Sequence, residues 1–137
     1  MKKYFAFFVL LFAFILSAHG QEIILPDQVF TIKVIEKNGS GSTESLPLDE
    51  LVFKSNQISA NFSLKNGFPA ANYTAASDEK TGPAAISFAG QSDNSKKHTL
   101  KWTGTINGNK IQGKAQHWFF GKIAGEYIFT GTLKKKK

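Results

Sequence analysis

The sequence predicts an all-β protein, a single antiparallel meander of about eight strands closed into a barrel. Apolar and polar residues alternate with a period of two along nearly all of the chain after residue 27, which is typical of strands with one buried face. There is no amphipathic helix of ten or more residues, and the connections are short and polar. With no helix to cover its apolar face, such a sheet hides that face best by closing on itself. A β-sandwich is the second choice.

The first 20 residues are predicted to be a signal peptide. Two lysines follow Met1, residues 4–16 are continuously apolar, and the small residues Ala18 and Gly20 suit cleavage before Gln21. The apolar run is shorter than the roughly 20 residues that span a bilayer. We therefore expect an exported protein, secreted or periplasmic, with no integral membrane segment after cleavage. Residues 21–137 then form one barrel domain with a short basic tail.

Composition narrows the classes of partner. All 17 basic residues are lysines, and the formal net charge is +7. Arginine is the usual choice for bidentate recognition of phosphates and base edges, so its absence argues against nucleic-acid binding. The chain has no cysteine, so burial must stabilise the exported fold without disulfides. No cofactor is implied, and the oligomeric state is left open.

The strongest local signal is a hairpin of two strands, residues 97–106 and 110–119. A turn around Asn107-Gly108 is predicted between them, because this pair tolerates the positive φ angles of a type I′ turn. In the first strand Leu100, Trp102 and Ile106 share one face with Gly104, and that face is predicted to point inward.

The other predicted strands follow from the same alternation. They cover residues 28–37, 48–54, 57–64, 71–77, 84–91 and 126–133. The Gly/Ser-rich residues 38–43 are interpreted as a flexible turn. A phosphate-binding loop would need a G-x-G-x-x-G or a terminal Gly-Lys-Ser/Thr pattern, and neither is present.

Several segments carry a resemblance to a known family. The strand pattern at residues 49–53, the strand containing Tyr73, the Trp102-Thr-Gly-Thr segment and the closing run from Gly125 to Leu133 resemble secreted lipocalin-like (calycin-type) small β-barrels. The resemblance covers most of residues 29–133 and implies a barrel. Two lipocalin features are missing, a Gly-x-Trp on the first strand and a helix after the last one, so no particular ligand is carried over.

Catalytic signatures are absent from the sequence. Only His98 and His117 remain after cleavage, with no HExxH motif, and a catalytic zinc needs three protein ligands. There is no Gly-x-Ser-x-Gly nucleophile motif. The carboxylate pairs at residues 49–50 and 78–79 are sequence neighbours, whose side chains point apart on strands. We therefore expect a protein that binds and is not an enzyme, with no metal site.

Two binding hypotheses remain open. In the first, the barrel holds a small apolar or amphipathic ligand, because inward-facing Gly113 and Ala115 leave room. The alternative for the interior is that side chains fill it, as they do in most eight-stranded barrels. The candidate lining residues are Tyr73, Trp102, His117, Tyr127 and Phe129.

In the second hypothesis the outer surface binds an anionic polymer or a protein partner. If Ile111 faces inward, alternation places the side chains of the neighbouring lysines and aromatics outside. Exposed aromatic residues beside lysines are typical of interaction surfaces. The candidates are Lys101, Lys114, Trp118 and Phe120.

Overall fold

A computed structural model describes residues 23–78, 80, 82, 84–94 and 97–134. Within these residues the chain forms nine antiparallel strands and one short helix. The predicted signal peptide and most of the basic tail lie outside the described residues. In the described part, the helix is too short and too polar to cross a bilayer. The elements are β1 (Gln28–Asn38), β2 (Thr43–Ser45), β3 (Asp49–Lys54), β4 (Gln57–Ala60), α1 (Asn61–Lys65), β5 (Ala71–Ser77), β6 (Ala85–Asp93), β7 (His98–Asn107), β8 (Lys110–Phe119) and β9 (Lys122–Leu133).

The sheet closes on itself between β1 and β9. Their ladder runs from Phe30 opposite Leu133 to Asn38 opposite Gly125. Eight of the described strands, β1 and β3–β9, form the closed barrel in sequence order. The short strand β2 pairs with the C-terminal part of β1, at residues 35–37. The prediction of an all-β, closed, antiparallel meander is confirmed. The shortest ladder joins β4 to β5 through only two residue pairs, Gln57 with Asn72 and Ile58 with Ala71.

Side chains from the inner faces of the strands form one continuous core. In β7 the predicted inward residues Leu100, Trp102 and Ile106 are all buried. Close contacts between aromatic rings join opposite walls, with Phe53 packed edge-on against Phe88 at 5.2 Å between centroids. Edge-to-face packing is the arrangement that the ring quadrupole favours. The largest fully buried side chains are Trp102, Phe30, Phe53, Phe129, Ile32, Leu51, Ile58, Leu100 and Val34.

The turn between β7 and β8 differs from the prediction. Asn107 pairs with Lys110, so the two turn residues are Gly108 and Asn109. Gly108 has a φ of 63°, and Asn109 is not among the residues with positive φ. A positive φ at the first turn residue alone is the requirement of a type II′ turn, which places glycine there. This register sets Ile106 opposite Ile111, an apolar cross-strand pair on the inner face.

Three segment boundaries also differ from the prediction. The strand predicted over residues 57–64 ends at Ala60 and continues as α1. The last strand begins at Lys122 instead of residue 126, and the segment predicted as a flexible turn leads into β2 at Thr43. The barrel itself is unaffected, because these changes fall at strand ends.

The barrel has two ends, which we name after the hairpin turns that they carry. The Gly108 end holds the β7–β8 turn, the β3–β4 turn, the start of β1 and the last residue of β9. The Phe120 end holds α1, the β6–β7 connection and the β8–β9 turn at Phe120-Gly121.

Candidate functional site

Of the five residues predicted to line a cavity, Trp102, Tyr127 and Phe129 are buried in the packed interior, while Tyr73 and His117 are partly buried at its edges. Trp102 is 1% exposed and Phe129 is 0% exposed. Their rings lie 6.0 Å apart between centroids, and Phe62 of α1 packs against Trp102 at 5.4 Å. Neighbouring side chains therefore cover the rings that the first hypothesis assigned to a ligand.

These five residues also do not surround a common point. Tyr73 packs edge-on against Phe53 near the Gly108 end, with ring centroids 5.2 Å apart. Tyr127 packs against Phe62 near the Phe120 end, at 4.6 Å. Burial raises the pKa of both tyrosines above its usual value of 10.0, with nearby Asp27 adding to the effect at Tyr73 and Glu36 at Tyr127. Both hydroxyls are thus protonated near neutral pH.

Two polar atoms on the inner face lack a partner. Within the described residues, Trp102 Nε1 and Ser92 Oγ are buried and make no hydrogen bond. Ser92 pairs with Leu100, two residues from Trp102 on the same face of β7. A buried donor without an acceptor costs about 1–3 kcal/mol, so these atoms mark a polar spot in an otherwise apolar interior.

The connection between β4 and β5 covers the Phe120 end of the barrel, and Asp49 holds it in place. The backbone N–H groups of Asn61 and Phe62 donate to the two carboxylate oxygens of Asp49, at 3.1 and 2.9 Å. Glu50 donates a third backbone N–H, at 2.6 Å. The buried carboxylate thus satisfies N–H groups at the start of α1 that have no partner within the helix. It also orients Phe62 into the core.

His98 and His117 form a hydrogen-bonded pair at the same end. His98 Nδ1 and His117 Nε2 are 2.7 Å apart, so one ring donates and the other accepts. Phe68 packs edge-on against His117, and Phe119 stacks on His98 at 4.1 Å. Burial, followed by the charge on His98, lowers the pKa of His117 below 6.5. In the part of the chain that the structure describes, no cluster of three or more potential metal ligands includes this pair.

A concave feature lies on the outside of the barrel. A trough of about 970 Å³ crosses the outer faces of β5, β6, β7, β8 and β9. Its walls carry short hydroxyl and methyl side chains, with longer polar side chains toward β8 and β9. The outward-facing lining residues are Thr74, Ala76, Ser87, Ala89, Thr103, Thr105, Gln112, Lys114, Glu126, Ile128 and Thr130.

Paired glycines under the trough explain its depth. Gly104 on β7 lies opposite Gly113 on β8, and both face inward. A Cβ atom on Gly104 would come within 2.5 Å of the Phe88 ring, and one on Gly113 would collide with the backbone of β7. Because these two residues have no side chains, the backbone of β7 and β8 lies directly on the core side chains. The outer surface of the sheet is therefore lower here than around it. Glycine in a strand interior often marks such a close approach.

The four residues predicted to form an outer interaction surface lie in three separate places. Lys101 places its ammonium 4.4 Å above the Trp118 ring, a cation–π contact. Trp118 Nε1 is buried and has no acceptor among the described residues. Lys114 lies in the trough and forms an ion pair with Glu126 at 3.6 Å.

Phe120 does not lie on this face but forms the tip of the β8–β9 turn, where its side chain is 68% exposed. The prediction that Phe120 is an exposed aromatic is confirmed. Trp118, expected to be an exposed aromatic if Ile111 faces inward, is half-buried, with the Lys101 ammonium over its ring.

Sequence reasoning missed His98, Asp49 and the trough. The hairpin register contained a signal for the histidine pair. His117 lies opposite Leu100, and His98 is two residues from Leu100 on the same face, so the two histidines are diagonal neighbours across the ladder. The pairing of Asp49 with α1 spans 12 residues of sequence and had no local signal. The trough depends on two glycines meeting across a ladder, which the shifted turn made hard to foresee.

Comparison with known proteins gives no relative. No protein-family model matches the chain, and no curated protein and no solved structure is significantly similar to it.

Proposed function

We propose that the protein is an exported, non-enzymatic binding protein that holds an acidic polysaccharide across the outer trough. The observation that carries the proposal is the site at Lys101 and Trp118. The exposed Lys101 ammonium lies 4.4 Å above the centre of the Trp118 ring, beside the trough. The Lys101 ammonium is a donor without a hydrogen-bond acceptor among the described residues, and a carboxylate-bearing polymer supplies one, whereas the Nε1–H of Trp118 is buried and serves only as part of the ring that supports Lys101.

The trough supports a polymer more than a compact ligand. It is open along its length and crosses five strands. The backbone beneath it is fully occupied by ladder hydrogen bonds, so recognition must come from side chains. Hydroxyl and amide groups such as those of Thr103, Thr105 and Gln112 can exchange hydrogen bonds with sugar hydroxyls, while Ala76 and Ala89 offer flat apolar contact.

The charge of this face supports an acidic ligand over a neutral one. Lys101, Lys110 and Lys114 point outward from β7 and β8, and Glu126 offsets one of them. A polyanion that replaces Glu126 as the partner of Lys114 gains a charge-assisted hydrogen bond. Such binding weakens as salt is added, because exposed charges are screened within about 10 Å at 0.1 M.

A second candidate function is a small guest inside the barrel, as in the lipocalin-like proteins that the sequence resembles. Its specific support is the pair of unpartnered polar atoms, Trp102 Nε1 and Ser92 Oγ. The close packing of Trp102 against Phe62 and Phe129 weighs against a guest larger than a few atoms. We therefore place it second. Native mass spectrometry of protein from its own source would show a retained guest directly.

The test of the first proposal is a titration with alginate oligomers in which calorimetry measures the binding affinity. Lys101→Met keeps the aliphatic stem and removes the charge, so affinity should fall about tenfold, as expected for a hydrogen bond to a charged group. Trp118→Phe keeps an aromatic ring under Lys101 but weakens the cation–π contact that positions the ammonium, and it should give a smaller loss.

A matched control is Lys54→Met. Lys54 is exposed at the end of β3, near the Gly108 end and away from the trough. This variant loses the same charge and should bind alginate like the wild type. Equal losses in Lys54→Met and Lys101→Met would show non-specific attraction and contradict the proposal. Neutral dextran should not bind in either case.

A further inference from the structure

The β8–β9 hairpin ends in an apolar tip. Phe119, Phe120 and Ile123 are 38%, 68% and 48% exposed. The two phenyl rings contact each other edge-on at 4.3 Å, and Ile123 pairs with Trp118 on the outer face. The two phenylalanines thus form an exposed apolar tip, and Ile123 adds an exposed apolar side chain on the outer face of the same hairpin, an exposure that soluble surfaces generally avoid.

The backbone of this tip is strained by its sequence. Phe120 and Gly121 are the two turn residues, with φ angles of 51° and 77°. A two-residue turn with positive φ at both positions normally carries Asn, Asp or Gly first. A phenylalanine there clashes with its own backbone, and such strain concentrates at functional positions. The turn therefore keeps a bulky apolar side chain where a small polar one would fold more easily.

Lysines flank the tip on both sides. Phe119 pairs with His98 on one side and with Lys122 on the other. Lys97 directly precedes His98, just beyond the end of the β7–β8 ladder, and has a positive φ of 68°. The nearest described carboxylate along the neighbouring strand is that of Asp93, which accepts a hydrogen bond from Thr99 at 2.7 Å. The rim of the tip is thus basic.

We propose that this tip docks the protein on an anionic lipid surface, with Phe120 entering the headgroup and acyl boundary while Lys97 and Lys122 contact the anionic headgroups. Apolar side chains beside lysines are the combination that holds peripheral proteins at such surfaces. The site is separate from the outer trough, and its occupant is different.

A second copy of the chain fits the tip less well. A stable protein interface buries at least about 1,000 Å² in total, and three side chains supply only a part of that. Two copies meeting at their tips would also bring Lys97 and Lys122 of each toward the same residues of the other. A lipid surface needs no such area, since a few inserted side chains and several lysines suffice.

The test is sedimentation of the chain from residue 21 onward with lipid vesicles, after a cooperative thermal transition shows that this form is folded. Vesicles of phosphatidylcholine with 30 mol% phosphatidylglycerol (about one lipid in three) are compared with pure phosphatidylcholine. We expect binding to the anionic vesicles and at least tenfold weaker binding to the neutral ones. Brominated lipids should quench the fluorescence of Trp118, which lies near the tip, more than that of the buried Trp102.

The decisive variant is Phe120→Asn. Asparagine suits the positive φ of the turn, so the fold is favoured while the inserted ring is lost. Partitioning to anionic vesicles should fall about tenfold or more, as expected from the loss of one buried phenyl group. The matched control is Ile24→Asn, which removes a 77% exposed apolar side chain near the Gly108 end and should leave partitioning unchanged.

Three results would overturn the proposal. The first is a wild-type chain that does not bind anionic vesicles. The second is binding that Phe120→Asn leaves intact. The third is concentration-dependent self-association in ultracentrifugation that Phe120→Asn abolishes, which would assign the tip to a second copy. Alginate binding by Phe120→Asn should equal that of the wild type, so failure of this proposal is separable from failure of the trough.

Discussion

The two ends of the barrel are closed by different physical means. At the Gly108 end the lead-in segment covers the core with the buried side chain of Leu25, and the N–H of Ile23 donates to the carbonyl of Ala75 at 2.8 Å. The β7–β8 turn there has glycine at its one position of positive φ, and the β3–β4 turn places Ser55 and the tolerant Asn56 at positive φ. At the Phe120 end a buried carboxylate holds a helix, two histidines share a hydrogen bond, and a phenylalanine occupies a strained turn.

This difference separates a stable end from a responsive one. Apolar burial depends little on pH or salt, and the charged contacts at the Gly108 end, the Lys134–Glu50 ion pair and the hydrogen bond from Ser55 to Asp27, are exposed. The hydrogen bond of His117 depends on the charge state of the imidazole, so the Phe120 end responds to acid through this residue. The hydrogen bonds to Asp49 make α1 depend on a single side chain. The side chains exposed there also carry the proposed lipid contact.

The largest expected effect comes from removing the carboxylate that holds α1. Asp49→Ala leaves three backbone N–H groups without their acceptor, at Glu50, Asn61 and Phe62. We expect a loss of about 3 kcal/mol in the free energy of unfolding, from unsatisfied donors and a lost helix cap. Urea denaturation measures it.

Asp49→Asn tests the same contact more finely, because the amide keeps one acceptor oxygen. This variant should lose less free energy of unfolding than Asp49→Ala. Leu25→Ala tests the other end, where the loss should follow buried area and amount to about 2 kcal/mol. If Asp49→Ala cost no more than an exposed substitution, the assignment of Asp49 as the support of α1 would be wrong.

Substitutions at the positive-φ residues of the two turns should change the free energy of unfolding in opposite directions. Phe120→Asn should stabilise the fold by about 1 kcal/mol, because asparagine tolerates positive φ. Gly108→Ala should destabilise it by about 1 kcal/mol, because alanine does not. Thermal unfolding of both variants checks the pair.

Stabilisation by Phe120→Asn together with weaker lipid binding would show that the natural turn trades stability for contact. A loss of stability in Phe120→Asn would instead show that the phenyl ring supports the fold through its contact with Phe119.

The smallest expected effect is the response of the histidine pair to acid. Burial lowers the pKa of His117 below 6.5, so the unfolded chain takes up a proton before the folded chain does. The stability that this neutral histidine contributes is complete above about pH 6.5, and it is lost as the pH falls from there through the lower folded pKa. The midpoint of thermal unfolding should therefore fall between pH 7 and pH 5.

His117→Gln provides the comparison, because glutamine is polar and does not titrate. The variant should show a shallower fall in unfolding temperature over the same pH range, while the carboxylates of both chains contribute equally. Parallel curves for the two proteins would exclude His117 as the source of the acid sensitivity.

The inner and outer faces of β7 and β8 could be predicted from sequence even though their turn could not. Moving the turn from Asn107-Gly108 to Gly108-Asn109 shifts the register by two residues, and a shift of two keeps every side chain on its own face. Trp102 therefore points inward in both registers. The observed register is selected by the apolar pair Ile106 and Ile111, a tertiary preference that outweighed the local turn signal.

Helix α1 could not be predicted because its cause is remote. Ile58, Ala60, Phe62 and Leu64 alternate with polar residues, a pattern that indicates a strand. The carboxylate of Asp49, across the β3–β4 hairpin, offers acceptors for the first N–H groups of a helix turn. In the helix Leu64 points outward, so this apolar side chain is exposed to solvent.

The candidate sites were only partly accessible from sequence for a similar reason. Alternation correctly placed Lys101 and Lys114 outside and Phe129 inside. It could not show that Lys101 covers Trp118 or that the interior closes around Trp102, because both depend on how side chains from different strands meet.

The ladder between β1 and β9 has a consequence for tethering. Phe30 pairs with Leu133, and the N–H of Lys134 donates to the carbonyl of Val29 at 2.8 Å, so the described chain enters and leaves the barrel side by side at the Gly108 end. A fusion partner attached at either terminus would hang from that end and leave the opposite end unobstructed. The same proximity allows the two ends to be joined by a short linker, and new termini could then be opened in an exposed hairpin turn.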